Sequence, residues 1–478
     1  MISPLLTDLY QLTMAYGYWR LNMHERESVF HLVFRNNPFQ GNYTVACGLA
    51  TVIEFIQQWK ITSEDIEYLK SLKNADGSEL FSIEFLTYLA EMKITCNIDA
   101  IPEGTVVFPQ EPLLRVQGPL LQCQLLETAL LNIVNFQTLI ATKAARICQA
   151  VGEGDEVLEF GLRRAQGPDG ALSASRAAYI GGCAATSNVL AGKLYDIPVR
   201  GTHAHNWVTA FADEKTAFAA YAEVMPQNCV LLVDTYDTLK GIENAISIGQ
   251  QLRLQGAELL GVRLDSGDLA KLSIQARSIL DAAGFTETRI VASNTLDEYS
   301  IASLRTQGAP ITVWGVGTHL VTAYDEPALD GVYKLSALRE LDGRWEYKLK
   351  LSEQSLKISN PGIYQVRRFF SKGQPVMDIL YDIEIGISDS PQAQTYKQPT
   401  ENISISGYDA SQDLLVPVLV QGRVIYSAES IHLIRQRAVS QVAQFRKFYS
   451  EQSYAVGLEK DLFDLKHKLI KELKSPNL

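Results

Sequence analysis

CVLLVDTYDT (229–238) and, one helix-length further on, ELLGVRLDSGDLA (258–270) carry the reading of this chain, because each is a continuous apolar run that closes on an aspartate and meets a second aspartate three residues later. A run without alternation is the pattern of a strand buried on both faces, as in a parallel sheet. Working outward, the same pattern recurs in VLEFG (157–161), IPVRG (197–201), RIVAS (289–293) and ITVWG (311–315). In chain order the six runs start 40, 32, 29, 31 and 22 residues apart, roughly the length of a strand, a helix and two loops. Repeated βα units follow, in a barrel or in a doubly wound sheet. The polar residues favour the barrel. Arg163 and Arg164, His203 and His205, Asp234 and Asp237, Asp265 and Asp268, Ser293 and Asn294, and Gly317 and Thr318 all fall at or just past strand ends. In a β/α barrel that C-terminal rim is where sites are built, with phosphate often held by the last loops.

The flanks differ in pattern. Residues 1–125 contain strand-like VFHLVF (29–34) and a proline-punctuated segment from Ile101 to Pro119, while WEYKLKLS (345–352) and PGIYQVRRFF (361–370) alternate as half-buried strands do, with DG and KGQP turns. The expected architecture is α/β: an irregular TIM-like β/α barrel over 126–334, packed against an α+β domain built from 1–125 and 335–478, with a helical tail from about Ser427.

A chain of 478 residues, 46% of them hydrophobic, has material for two structural units. The formal net charge of −11 and the pI near 5.3 argue against nucleic acid as a partner, since neutralising phosphates needs a basic patch. The six cysteines form no CxxC pair, so neither a disulfide framework nor a zinc ribbon is expected. The first residues lack a signal peptide's pattern and no run is apolar enough to span a bilayer, which leads to the expectation of a cytoplasmic protein without membrane contact.

Four constellations carry chemistry. GTHAH (201–205) sets two histidines just after a strand, which suits a structural role, a metal ligand or a catalytic base; a metal would need further converging ligands. GVRLDSGDLA (261–270) ends a strand in an arginine and two carboxylates. Asp265 is the functional candidate, and Asp268 is open between function and capping the following helix. VDTYDT (233–238) repeats the arrangement: a cap explains one aspartate, and a ribose or Mg²⁺ contact the other. WGVGTHLV (314–321) offers bare backbone N–H groups and a hydroxyl for a phosphate, although GxGT is also a common turn. Together these suit a sugar phosphate.

Seven motifs in collinear order resemble the nicotinate phosphoribosyltransferases: LLTDLYQLTMAYGY (5–18), EFGLRRAQGPDGALSASRAAYIGG (159–182), NVLAGKLYDIPVRGTHAH (188–205), VDTYDT, GVRLDSGDL, WGVGTHLV and PGIYQVRR (361–368). The resemblance spans about three quarters of the chain and implies the type II phosphoribosyltransferase fold and a homodimer with shared active sites. It implies formation of nicotinate mononucleotide and pyrophosphate from nicotinate and 5-phosphoribosyl 1-pyrophosphate, the entry of nicotinate into NAD salvage. Coupling to ATP would run through a phosphohistidine at His205, the last residue of the family's GTxAH motif. Asn206 stands where the family pattern leads one to expect serine or an acidic residue. By the same resemblance Phe160 and the partner subunit's Tyr10 would sandwich the pyridine ring, a favourable arrangement for an electron-poor aromatic. Arg263 would face the nicotinate carboxylate, Asp234 and Asp265 the ribose hydroxyls or Mg²⁺, and Arg163 the phosphate end of the donor. Ser293, Asn294, Gly315, Gly317 and Thr318 would cradle the 5′-phosphate. Three rivals stand beside this reading. A nicotinamide enzyme is suggested by Asp196, near where amide-specific relatives read the amide. A quinolinate enzyme needs no phosphohistidine and is shorter. The third is a non-catalytic barrel that senses phosphorylated metabolites.

Overall fold

Five of the six apolar runs become strands of one parallel sheet. A computed structural model describes residues 2–354, 358–388, 391–396, 402–404, 406–448 and 454–474. It places β1 (Glu156–Glu159), β2 (Ala185–Thr186), β3 (Val230–Leu232), β4 (Gly261–Leu264), β5 (Arg289–Ala292) and β6 (Val313–Val316) in the order β2-β1-β6-β5-β4-β3, every pair parallel. The exception is IPVRG. It joins the edge of β2 only through Thr186 N to Pro198 O (3.0 Å) and Arg200 N to Thr186 O (3.0 Å), and β2 itself is a two-residue strand that the apolar pattern does not mark. On the far side of this segment a side chain replaces the ladder: His203 Nε2 accepts from Leu232 N of β3 at 3.2 Å. The circuit of strands therefore closes, irregularly, through a histidine.

Alternation along each strand sends one set of side chains inward and the next to the helices. Leu158, Ala185, Val291 and Val313 form the inner cluster, with Phe160 and Val230 against it. The helices that follow the strands start where the sequence supplies an acceptor: Asp237, Asp268 and Asp297 each accept a backbone N–H three residues on, at 2.8, 3.1 and 2.7 Å.

The chain divides into two compact units, residues 140–327 with 431–439, and residues 1–139 with 328–430 and 440–478. The divisions fall inside the helix Glu127–Ala150 and just before the strand Gly331–Arg339, against the expected 125/126 and 334/335, and the helix Ile431–Phe445 is split between the units. The expected helical tail is interrupted by the strand Ala455–Glu459 before a last helix, Lys460–Lys474.

The unit built from both chain ends holds a seven-stranded and a six-stranded sheet. Its KG turn joins Tyr364–Ser371 to Gln374–Asp382 with φ of 51° at Lys372 and 71° at Gly373, the left-handed pair that a tight hairpin requires. Among the described residues no helix is long and apolar enough to cross a membrane.

Candidate functional site

Residues at the ends of β4 and β5 and just beyond them meet in one hydrogen-bonded cluster beside Phe160, the residue after β1. Arg263 on β4 donates from Nε to Ser293 Oγ (2.8 Å), from Nη1 to Thr202 Oγ1 (3.0 Å) and from Nη2 to Asp265 Oδ1 (3.0 Å). Ser293 Oγ also donates to Asp265 Oδ1. The guanidinium stands 5.7 Å from the centroid of the Phe160 ring. A cation whose plane is fixed by three bonds beside a half-buried aromatic face is preorganised for a flat anionic ligand.

Asp234, at the end of β3, joins the cluster through its neighbour. Its Oδ2 accepts from Asp265 N (2.8 Å) and Ser266 Oγ (2.6 Å), while Oδ1 is buried with no hydrogen-bond partner among the described residues. A buried carboxylate oxygen without a donor is costly unless something else approaches it. A divalent cation would satisfy that need. Among the described residues no group of three or more His, Cys, Asp or Glu is placed to hold a metal unaided, so such an ion would draw most of its oxygens from a phosphorylated ligand.

The two histidines of GTHAH separate. Besides accepting from Leu232 N, His203 is buried, its Nδ1 lies 3.3 Å from Ala204 O, and burial lowers its pKa, so it serves as a neutral structural link. His205 opens the next short helix with its side chain 43% exposed, Nδ1 3.1 Å from Thr235 Oγ1 and Nε2 3.7 Å from Asp265 Oδ2. It is the accessible imidazole at the cluster.

Phe160 owes its position to Glu159, which points to the outer face and accepts from Gly161 N, from Ser175 Oγ (2.8 Å) and from Thr186 Oγ1 (2.5 Å). A Cβ on Gly315 of β6 would lie 2.7 Å from the Phe160 ring, so that glycine makes room for the aromatic as well as lying beside Ser293. Beneath the ring a cavity of about 680 Å³ extends through the strand circuit, lined by Leu158, Val230, Val291 and Val313, to a foot where Glu156 pairs with Arg200 (2.7 Å) and Arg289 (2.5 Å).

Asn294 follows Ser293 with a φ of 112°, a strained backbone for a residue with a side chain. Gly317 and Thr318 begin the loop after β6, Thr318 exposed. Arg163 is exposed in the turn Leu162–Arg164. Tyr10 lies on the helix Leu9–Arg20 of the other unit, 49% exposed. Asp196 caps the C-terminus of Val189–Tyr195 with a φ of 58°, its side chain 93% exposed and 3.3 Å from His432 Nε2, and it lines no part of the cavity under Phe160. Asp268 and Asp237 are helix caps. Sequence reasoning passed over Thr202, Thr235, Ser266 and Glu159; of these only Glu159, an acid inside an apolar run, stood out in the pattern.

Comparison with known proteins finds relatives along nearly the whole chain. The nicotinate phosphoribosyltransferase (NAPRTase) N-terminal domain matches residues 5–135, the NAPRTase family residues 156–345 and the NAPRTase C-terminal domain residues 364–466. The chain is 43% identical to nicotinate phosphoribosyltransferase of Bacillus subtilis, covering 98% of this chain and 95% of that one, and 35% identical to that of Homo sapiens, covering 98% and 96%. The crystal structure of human nicotinic acid phosphoribosyltransferase superposes with a TM-score of 0.84 at 32% identity, over 97% of this chain and 99% of that one. With three successive domain models matched in order, and relatives aligned over nearly the whole length, the chain belongs to the nicotinate phosphoribosyltransferase family.

Proposed function

We propose that this protein joins nicotinate to 5-phosphoribosyl 1-pyrophosphate, giving nicotinate mononucleotide and pyrophosphate, and that ATP is coupled to the reaction through phosphorylation of His205. The carrying observation is the fixed Arg263 guanidinium 5.7 Å from the Phe160 ring, a platform and a counter-charge for an aromatic carboxylate. Nothing in the surroundings of Asp196 favours an amide reader instead.

In the transfer, the pyridine nitrogen attacks C1′ of the ribose, and the C1′–O bond breaks with its electron pair leaving on pyrophosphate. Phe160, with Tyr10 from a partner subunit on the opposite face, holds the ring; Arg263 takes the carboxylate and thereby aims the nitrogen. Asp265 and Asp234 orient the ribose hydroxyls. Asp234 and Asp265 would hold a Mg²⁺ that arrives with the donor, which would supply charge neutralisation for the departing pyrophosphate. Arg163 serves the phosphate end of the donor. Ser293, Asn294, Gly317 and Thr318, with the backbone of Gly315 behind them, receive the 5′-phosphate.

For ATP coupling, the Thr235 hydroxyl beside Nδ1 of His205 leaves Nε2 as the nucleophile. The N–P bond forms as the bond from the γ-phosphorus to the bridging oxygen breaks, ADP leaves, and water later cleaves the phosphoryl group. The site is shared across a homodimer, in the cytoplasm, at the entry of nicotinate into NAD synthesis.

Incubation with 5-phosphoribosyl 1-pyrophosphate, Mg²⁺ and ATP against nicotinate, nicotinamide and quinolinate in parallel tests the substrate assignment. Nicotinate is consumed with equimolar pyrophosphate release; preference for nicotinamide, or no turnover of any of the three, overturns it.

A further inference from the structure

The loops that follow β5 and β6 are tied to each other twice, by groups other than those that build the Arg263 cluster. In the first tie, His319 on the β6 loop places Nδ1 3.2 Å from Asp297 Oδ2 on the β5 loop. Both partners are held in place. Asp297 caps the helix Glu298–Thr306 in a reciprocal box with Ser300, and the His319 ring stacks on Tyr324 with centroids 4.4 Å apart and planes 3° from parallel. In the second tie, the fully buried ammonium of Lys143 sits 2.7 Å from Glu298 Oε2 and 2.6 Å from Asp325 Oδ2, one carboxylate from each loop. Arg146 adds a bond to Glu298 Oε1 at 2.9 Å.

An ammonium removed from water and matched to two carboxylates is stable only while both stay in place, so the pairing fixes a distance rather than merely adding attraction. Three residues before Asp297 stands Asn294 at φ 112°, a conformation costing about 1–3 kcal/mol that persists only where its surroundings hold it. The strained residue and its tethers share one short segment, Ser293–Glu298, and the loop opposite runs Gly317–Asp325.

We infer that His319, with Lys143 as the second tether, is a positioning residue for the 5′-phosphate of the ribosyl donor. It sets the separation of the β5 and β6 loops and holds Asn294 in its strained form, so that donors on both loops face one phosphate at once. This rests on the reading of those loops as the phosphate cradle. Loosening either tie widens the pair of loops, costs affinity for anything bearing the 5′-phosphate, and leaves the pyridine side, built on Phe160 and Arg263, untouched.

The experiment compares wild type with His319→Ala, His319→Asn and Asp325→Asn, measuring KM for 5-phosphoribosyl 1-pyrophosphate, KM for nicotinate, and inhibition by ribose 5-phosphate and by pyrophosphate. For His319→Ala, KM for the donor and Ki for ribose 5-phosphate both rise about tenfold, the loss of one charge-assisted contact's worth of fixed geometry. KM for nicotinate and Ki for pyrophosphate stay within about twofold. His319→Asn, which returns a donor near the Nδ1 position, recovers most of the loss; Asp325→Asn, at a partly exposed position, reproduces it more weakly without emptying the buried site. Parallel rises in all four constants, or an unchanged Ki for ribose 5-phosphate in every variant, overturn the inference. A wild-type protein that turns over nicotinate with the donor yet is not inhibited by ribose 5-phosphate contradicts the cradle reading itself, and is told apart by needing no variant.

Discussion

Asp265 and Asp268 are three residues apart, as are Asp234 and Asp237, yet within each pair the two carboxylates do different things. The first of each pair ends a strand and enters the Arg263 cluster; the second accepts a backbone N–H and starts a helix. The histidines of GTHAH divide in the same way, His203 tying backbone across the strand circuit and His205 opening beside Asp265 and Thr235. What separates twins of identical chemistry is their place along the βα loop. The pleat sends Arg263 and Asp265 to the same face, whereas a residue at the helix start sits beside N–H groups that have no intrahelical partner. A side chain whose lone pairs are already engaged by backbone has little left for a ligand.

The sharpest break of this comparison is at the histidines. His205→Ala abolishes acid-labile labelling from γ-labelled ATP and the ATP hydrolysis that accompanies it, while His203→Ala remains labelled. His203→Ala instead lowers stability, by about 1–3 kcal/mol, because Leu232 N is left buried without an acceptor. The reverse pattern of labelling moves the phosphoryl acceptor to His203.

Next in size is Arg263. Replacement by Lys, a point charge without the planar fork, weakens nicotinate binding by roughly one to two decades, and Ala by more. Nicotinamide, without the charge, loses less in a competition assay with the same variants. Equal losses for both ligands assign Arg263 to the donor or to the fold.

The smallest effect is at the caps. Asp237→Ala costs about 1 kcal/mol of stability, seen as a lower melting temperature, with turnover within about twofold of wild type. A loss of turnover beyond that would give this cap a share in the chemistry.

The sequence made the strand circuit readable because burial on both faces leaves long runs of Val, Leu and Ile, which VLEFG, CVLLVD, ELLGVRLD, RIVAS and ITVWG supply. It misled at IPVRG, an apolar run that makes only an edge contact, and hid Ala185–Thr186, too short to carry a pattern. The division between the two units at 139/140 leaves no mark in the sequence, since the single helix Glu127–Ala150 runs across it. Within the site, charged residues at strand ends stood out. Thr202, Thr235 and Ser266 did not, since a hydroxyl is as common in any turn as in a site. The tethers were equally hidden: Lys143, Asp297, His319 and Asp325 are far apart in sequence and meaningful only when folded.

The most direct test of the central claim is steady-state turnover of nicotinate in Asp265→Asn and Asp268→Asn, two variants that each remove one charge three residues apart. Asparagine is a competent cap, so Asp268→Asn stays within about twofold of wild type. Asp265→Asn loses the carboxylate that gathers Arg263, Ser293 and the neighbourhood of His205, and turnover falls by about a hundredfold or more while the melting temperature moves by only a few degrees. Equal losses in the two variants, or a larger one in Asp268→Asn, would contradict the division of roles on which this account stands.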